Sequence, residues 1–231
     1  MARKSKRSAR KKVAPARSAA TESPRERVIA AFMALLAENP FEQIGLAAVS
    51  ARAEISLSAL REEFGSLLAI LAAQMKEIDR IVLDGVDPDL AEEPARERLF
   101  DVLMRRLEAL TPHRAAIRSL TRSAMRNPGL AFAINGLALT SQRWMLTAAN
   151  IDTAGIKGVM RAQGLAVLFA CVLRTFVDDD DPNLSRTMAE LDRELERGQR
   201  WSGFLDDVCS VPASCFRRGR RRRGRDEAVA A

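Results

Sequence analysis

The sequence predicts an all-α fold, on the strength of three observations. Apolar residues recur at helical spacing throughout residues 23–211. No Asn-Gly or Asp-Gly turn stands between alternating strand-like segments, so nothing marks a β-hairpin. Prolines and short polar turns divide the chain into segments of helix length. We therefore expect four shorter helices near the N-terminus, followed by five longer ones.

The first helix carries a clear start signal. Ser23 suits the N-cap, Pro24 suits the first helical position, and Glu26 stands where its side chain can cap back. One apolar stripe follows, made of Val28, Ile29, Phe32, Leu35 and Leu36. The Asn39-Pro40 pair ends the helix near Glu38.

Periodicity and breaking residues place the remaining helices. They are predicted over residues 44–53, 56–64, 66–83, 95–110, 112–126, 128–150, 155–177 and 184–208. A loop containing Pro88 separates a first domain, residues 23–84, from a helical body, residues 85–211. Residues 1–22 and 212–231 are predicted to be a disordered basic arm and a disordered Arg-rich tail.

The charge of the chain is concentrated at its ends. The net charge is +7, but residues 1–20 carry +8 and residues 217–231 carry +5, which leaves −6 for residues 21–216. Long-range attraction to phosphate would therefore come mainly from the two ends. For the arm, nucleic-acid attachment, a solubilising role and contact with anionic lipid or a partner all remain open.

Several function classes have no signal. The cysteines Cys171, Cys209 and Cys215 form no CxxC pair and the chain has one histidine, His113, so we predict reduced thiols and no metal site. We find no glycine-rich phosphate loop and no nucleophile with a base partner, so we expect neither an enzyme nor a cofactor. We also see no apolar run long enough for a membrane span and no secretory signal, and we expect a cytoplasmic protein.

Residues 44–64 carry the functional argument, because they contain two short helices joined by a tight turn. Two such helices can cross steeply and project the second into a DNA major groove. The predicted DNA contacts are Ser56, Leu57, Ser58, Arg61 and Glu62 on the second helix and Arg3, Lys4 and Arg7 on the arm. Leu60 and Phe64 are expected to pack inward.

This region resembles the TetR family of transcriptional regulators. The positions that match the family pattern are Val49, Ala53, Ile55, Ser56, Leu60, Phe64, Gly65 and Ser66. The chain departs from that pattern at Glu54, where the family has a turn glycine, at Arg61, where it has a tyrosine, and at Leu67, where it has a phosphate-contacting lysine. A left-handed Glu54 would cost about 1 kcal/mol. Residues 24–64 hold four Arg against six Glu, a net −2.

The resemblance implies a TetR-like, ligand-responsive repressor that binds a palindromic operator as a homodimer. Residues 85–211 would then be the ligand-binding and dimerisation domain. For a small apolar effector we predict a pocket formed by Leu107, Phe132, Trp144, Met145 and Met160. For the dimer interface we predict Leu165, Leu168, Val172 and Phe176.

Two other interpretations stay open. The acidic recognition helix favours a TetR-fold accessory protein that binds a lipid or quinone without sequence-specific DNA binding. Residues 99–120 also have an amphipathic pattern similar to that of such proteins. A chromosome-associated architectural protein that uses only its basic ends is the third interpretation.

Overall fold

A computed structural model describes residues 23–87 and 92–210 of the chain, with side chains to residue 198. The predicted arm contacts Arg3, Lys4 and Arg7 lie outside the described residues. The described part is helical and contains no strand. Its α-helices are α1 (Pro24–Glu38), α2 (Leu46–Arg52), α3 (Leu57–Glu63), α4 (Leu67–Asp84), α5 (Ala95–Leu110), α6 (Arg114–Arg126), α7 (Pro128–Ala148), α8 (Gly155–Val177) and α9 (Ser185–Ser210).

The predicted start of α1 is confirmed. The Glu26 backbone N–H donates to Ser23 Oγ at 3.2 Å, and the Ser23 N–H donates to the Glu26 carboxylate at 2.7 Å. These two bonds form a capping box, and Pro24 occupies the first turn. The bond from the Ser23 N–H also lowers the pKa of Glu26.

Two predicted helices start too early. Residues 44 and 45 precede α2, because Phe41–Gln43 form a 3₁₀ turn and Gly45 is the N-cap in extended conformation. Residues 112 and 113 belong to a second 3₁₀ turn, Thr111–His113, and α6 begins after it. His113 precedes α6 without capping it through its side chain, and partial burial lowers its pKa.

The helices enclose two apolar cores, and α4, α6 and α7 contribute to both. The first core lies within α1–α4 and includes Ala116 from α6. The second lies within α4–α9. The N-terminal half of α4 supplies Ile70 and Leu71 to the first core, and its C-terminal half supplies Ile78 and Val82 to the second. The helix-turn-helix region is therefore joined to the body by α4, α6 and α7.

The acidic stretch between α8 and α9 is a turn that ends one helix and starts the next. Asp179 is fully buried and accepts hydrogen bonds from the Thr187 backbone N–H at 2.8 Å and from Thr187 Oγ1 at 2.6 Å. Burial alone would raise the pKa of Asp179, but these bonds outweigh it and the pKa is lowered. Among the described residues no cluster of His, Cys, Asp or Glu is arranged to hold a metal ion.

Helix α8 bears on the expected absence of a membrane span, and a core helix can have the same length and apolar composition. In the described part of the chain, Gly155–Val177 is long and apolar enough to cross a membrane by length and composition. The reason is that α8 is apolar on two opposite faces. One face packs into the second core through residues such as Leu165 and Phe169, and the other carries exposed residues such as Ile156 and Val167.

Candidate nucleic-acid interface

The turn between α2 and α3 is formed although it lacks glycine. Glu54 adopts φ 54°, in the left-handed region. Its N–H donates to Ala51 O at 3.3 Å, and the Ile55 N–H donates to Ser50 O at 3.2 Å, which together make a Schellman motif. Ser50 Oγ donates to Ile55 O at 2.7 Å across the same turn. These bonds hold α3 at a fixed angle to α2 despite the cost at Glu54.

Glu54→Gly is therefore expected to stabilise the protein by about 1 kcal/mol, since glycine adopts a positive φ without a Cβ penalty. Urea denaturation followed by circular dichroism would measure the change. The control is Glu42→Gly, which places the same substitution in an exposed 3₁₀ turn without a positive φ. Equal effects of the two substitutions would contradict strain at Glu54.

The predicted outward face of α3 is exposed. Ser56 caps the helix by accepting the Ala59 N–H at 3.1 Å, and its Oγ lies 2.8 Å from Ser58 Oγ. Leu57 is 58% exposed, and Arg61 and Glu62 are also exposed. On the opposite face Leu60 and Phe64 are buried in the first core, as predicted. The structure thus brings the five α3 candidates together on one short, capped helix.

Two of the four arginines in residues 24–64 are already paired. Arg25 lies 3.6 Å from the Glu63 carboxylate and stacks over the Phe64 ring. Arg52 makes two hydrogen bonds to Glu38, of 2.7 and 3.0 Å, and these lower the pKa of that carboxyl. Arg61 forms no ion pair with any described residue, so it is the cation that α3 offers to a ligand.

The start of α4 offers no cation to a phosphate. Ser66 caps this helix by accepting the Ala69 N–H at 3.2 Å, and Leu67, at the first helical position, is partly buried against the first core. Leu67 stands where the TetR family has a lysine, and in this chain it packs against the first core instead.

The predicted pocket residues differ widely in exposure. Leu107 and Met145 are fully buried in the second core. Phe132 and Trp144 are 82% and 53% exposed, and Met160 is also exposed. Helical periodicity does not show which face of α7 or α8 turns inward, so the sequence pattern grouped buried and exposed positions together. A small opening of about 240 Å³ between α7 and α8 is lined by Gly136, Leu139, Thr140, Arg143, Val159 and Ala162.

The predicted dimer contacts are also corrected. Leu165, Leu168, Val172 and Phe176 all lie in the second core, at most 9% exposed. Packing within the chain uses these side chains, so they offer no surface to a second copy. The apolar residues on the opposite face of α8 are Ile156, Val159, Met160 and Val167, all exposed.

Sequence reasoning missed a row of arginines on α6. Arg114, Arg118, Arg122 and Arg126 recur at every fourth position and so share one face of the helix. The guanidiniums of Arg114 and Arg118 donate to the carbonyls of Asp179 and Val177, which ties α6 to the end of α8. Arg118, Arg122 and Arg126 line a cleft against the end of α1. The four-residue spacing was visible in the sequence, but the cleft was not.

Solved structures with this arrangement of helices include transcriptional regulators from two organisms. A TetR transcriptional regulator from Nitrosomonas europaea ATCC 19718 is 20% identical, with a TM-score of 0.58 over 75% of this chain and 96% of that one. The chain has the TetR-type fold. A TetR transcriptional regulator from Rhodococcus sp. RHA1 is 18% identical, with a TM-score of 0.50 over 75% of this chain and 94% of that one. No protein-family model and no curated protein sequence matches the chain.

The TetR-type fold confirms the predicted fold class. It also gives α2 and α3 a clear place in the architecture, as the helix-turn-helix pair packed on α1 and on the first half of α4. At these identities the likeness is one of fold, so the roles of individual residues depend on the local geometry described above.

Proposed function

We propose that this TetR-fold chain is a sequence-specific DNA-binding transcriptional regulator that acts as a homodimer. The observation that carries the proposal is the outward face of α3. There Leu57, Ser58 and Arg61 are exposed on a capped helix that follows a formed turn, and Arg61 has no ion-pair partner among the described residues.

Each side chain of this face suits a base edge in the major groove. An arginine can donate two hydrogen bonds to guanine O6 and N7, and such a contact contributes about 1–3 kcal/mol of discrimination. Ser58 can donate or accept, and Leu57 can contact a thymine methyl group. The Glu62 carboxylate can accept a hydrogen bond from a cytosine amino group, and it disfavours contact with most other base edges.

The basic arm supplies the attraction that the folded unit lacks. Residues 24–64 carry −2, and residues 1–20 carry +8. Arms of other helix-turn-helix proteins lie in the minor groove or along phosphates. We therefore assign orientation and base reading to α3, and most of the salt-dependent affinity to the arm, including Arg3, Lys4 and Arg7.

The outward apolar face of α8 is the proposed dimer contact. Ile156, Met160 and Val167 lie along one stripe of this helix, and Ile156 is 82% exposed. A two-fold axis beside α8 would bury this stripe against its copy and place two α3 helices on one face of DNA. Half-sites about 34–36 Å apart would then form a palindromic operator.

Regulation would follow from a change in that spacing. A small apolar effector that widened the opening between α7 and α8 would shift α8 and so the partner chain, and the two α3 helices would no longer fit one operator. In the absence of effector, the dimer would occupy the operator and repress transcription.

Selection of genomic DNA fragments by the purified protein tests the proposal, with and without residues 1–20, at roughly 150 mM salt, where phosphate-only binding is weak. We expect a palindromic sequence from the full chain. Arg61→Ala should weaken binding to that sequence about tenfold or more, with relaxed specificity at one position in each half-site. Lys76→Ala, which removes an exposed cation from α4 outside every proposed site, is the matched control and should bind normally.

Removal of the arm should weaken binding to all sequences alike and reduce its dependence on salt. Recovery of no preferred sequence, with all binding lost along with the arm, would overturn the proposal. The lipid- or quinone-binding interpretation would then be tested on lipids extracted with the protein.

A further inference from the structure

The cleft lined by Arg118, Arg122 and Arg126 lies between the helix-turn-helix unit and the body. The end of α1 and the 3₁₀ turn Phe41–Gln43 form one wall, and α6 with the start of α7 forms the other. Its volume is about 800 Å³, within the range of small-molecule sites. It is separate from α3 and from the opening between α7 and α8, so neither DNA reading nor the proposed effector accounts for it.

The α6 wall of the cleft is cationic. Arg118, Arg122 and Arg126 project from successive turns, about 6 Å apart along the helix axis. Arg118 is engaged by Val177 O and by the Asp178 carboxylate, which lies 3.3 Å away. Arg122 and Arg126 are exposed and form no ion pair with any described residue.

The start of α7 adds a neutral donor. Asn127 accepts the Leu130 N–H through Oδ1 at 3.0 Å, which leaves its Nδ2 group available to donate at the end of the cleft. Two guanidiniums and an amide N–H₂ therefore face the opening from one side. Guanidinium groups bind carboxylates and phosphates through paired, charge-assisted hydrogen bonds.

The opposite wall carries fewer unpaired charged side chains than the α6 wall. Glu38 and Glu42 both line it, but Glu38 is neutralised by its two hydrogen bonds to Arg52. Glu42 is exposed and forms no ion pair with a described residue. Two unpaired guanidiniums thus face one unpaired carboxylate, and the balance favours an anion seated on the α6 side.

We propose that this cleft binds a small polyanion with at least two carboxylate or phosphate groups, held mainly by Arg122 and Arg126. Two cations one helical turn apart select a ligand with two anionic groups over a single anion such as chloride.

Because the cleft lies between the two halves of the molecule, a ligand bound there also affects the contact between them. At its base Ser119 Oγ donates to Asn39 O at 2.8 Å, and the Phe41 N–H donates to Ser123 Oγ at 3.1 Å, so the two walls belong to the two halves of the molecule. A bound polyanion stiffens this junction. An effect on operator affinity rests on the proposed function, whereas binding of the anion does not.

Isothermal titration calorimetry on the full chain tests the site, with sodium pyrophosphate and sodium citrate as probes at constant ionic strength set by chloride. We expect at least one probe to bind, and the choice between them identifies phosphate or carboxylate chemistry. The double variant Arg122→Gln/Arg126→Gln should weaken binding at least tenfold, and Glu42→Gln should tighten it because a repulsive charge is removed. Lys76→Gln, which removes an exposed cation from α4 outside every proposed site, is the control and should leave binding unchanged.

Three results would overturn the site: no binding of either probe, equal weakening by Lys76→Gln, or weaker binding by Glu42→Gln. Thermal unfolding of each variant without probe shows whether it is folded, and the affected side chains are exposed, so we expect no change. Because calorimetry contains no DNA, failure of the site and failure of the proposed function give different results. A DNA-binding assay with the bound probe then measures the coupling.

Discussion

Asp79→Leu is expected to lower the free energy of unfolding by about 3–5 kcal/mol, among the largest effects available to a single substitution here. Asp79 on α4 accepts a hydrogen bond from Arg106 at 2.8 Å and from Ser141 Oγ at 2.6 Å, and all three residues are buried. Burial lowers the pKa of Arg106 and the Asp79 charge opposes that shift. Without Asp79, the guanidinium would be a buried charge with no counter-ion.

Urea denaturation measures this loss, and two further variants interpret it. Asp84→Leu removes an exposed ion pair with Arg80 from the same helix and should have a much smaller effect. Asp79→Leu/Arg106→Met replaces the whole buried pair by apolar side chains and should recover most of the stability. If the single and double variants were equally unstable, the cost would come from packing and not from the unpaired charge.

Val167→Glu is expected to convert the proposed homodimer into monomers. Val167 is 56% exposed at the C-terminal end of the outward α8 stripe, and the proposed two-fold interface would bury it in both copies. Two carboxylates facing each other in a desolvated contact repel, and each loses hydration. Sedimentation equilibrium measures the association state, and we expect operator affinity to fall in parallel because one half-site contact is lost.

Ile81→Glu is the matched control, since Ile81 is an apolar residue on α4 with 45% exposure. It should leave both the association state and the operator affinity unchanged. A Val167→Glu protein that remains dimeric would place the dimer contact on another surface. Loss of the dimer in both variants would indicate a general loss of folding instead.

The sequence predicted local structure well where the signal is itself local. The ends of α5 and α8 match the predicted residues 95–110 and 155–177, and the Ser23 and Ser56 caps form as expected. Helix caps depend on three or four neighbouring residues, so they can be recognised without knowledge of the fold. The exposed face of α3 was predicted for a similar reason, because the inward positions Leu60 and Phe64 define its other side.

Assignments that depend on tertiary packing were less successful. On α8 both faces are apolar, so periodicity alone could not tell that Leu165 and Phe176 turn into the chain and Ile156 and Val167 turn out. The same ambiguity placed exposed Phe132 and buried Met145 in one pocket. Only the packing of α8 against its neighbouring helices decides which face is covered.

At Glu54 the fold overrides the local conformational preference of the backbone. Its left-handed conformation was expected to be disfavoured, yet the residue adopts it. The turn is fixed by backbone bonds from Glu54 and Ile55 and by the packing of Leu60 below α3. A preference of about 1 kcal/mol is small beside the burial of one leucine together with these bonds.

The sharing of α6 between the two cores bears on whether the DNA-reading part is a transferable module. Ala116 is buried among the residues of α1–α4, and Leu120, Ile134 and Leu137 pack against that same core. A fragment cut after residue 84 would expose the surface that these side chains cover. Grafting residues 23–84 onto an unrelated body would therefore require a replacement for α6 and for the first half of α7, and heat should melt the two halves in a single cooperative transition.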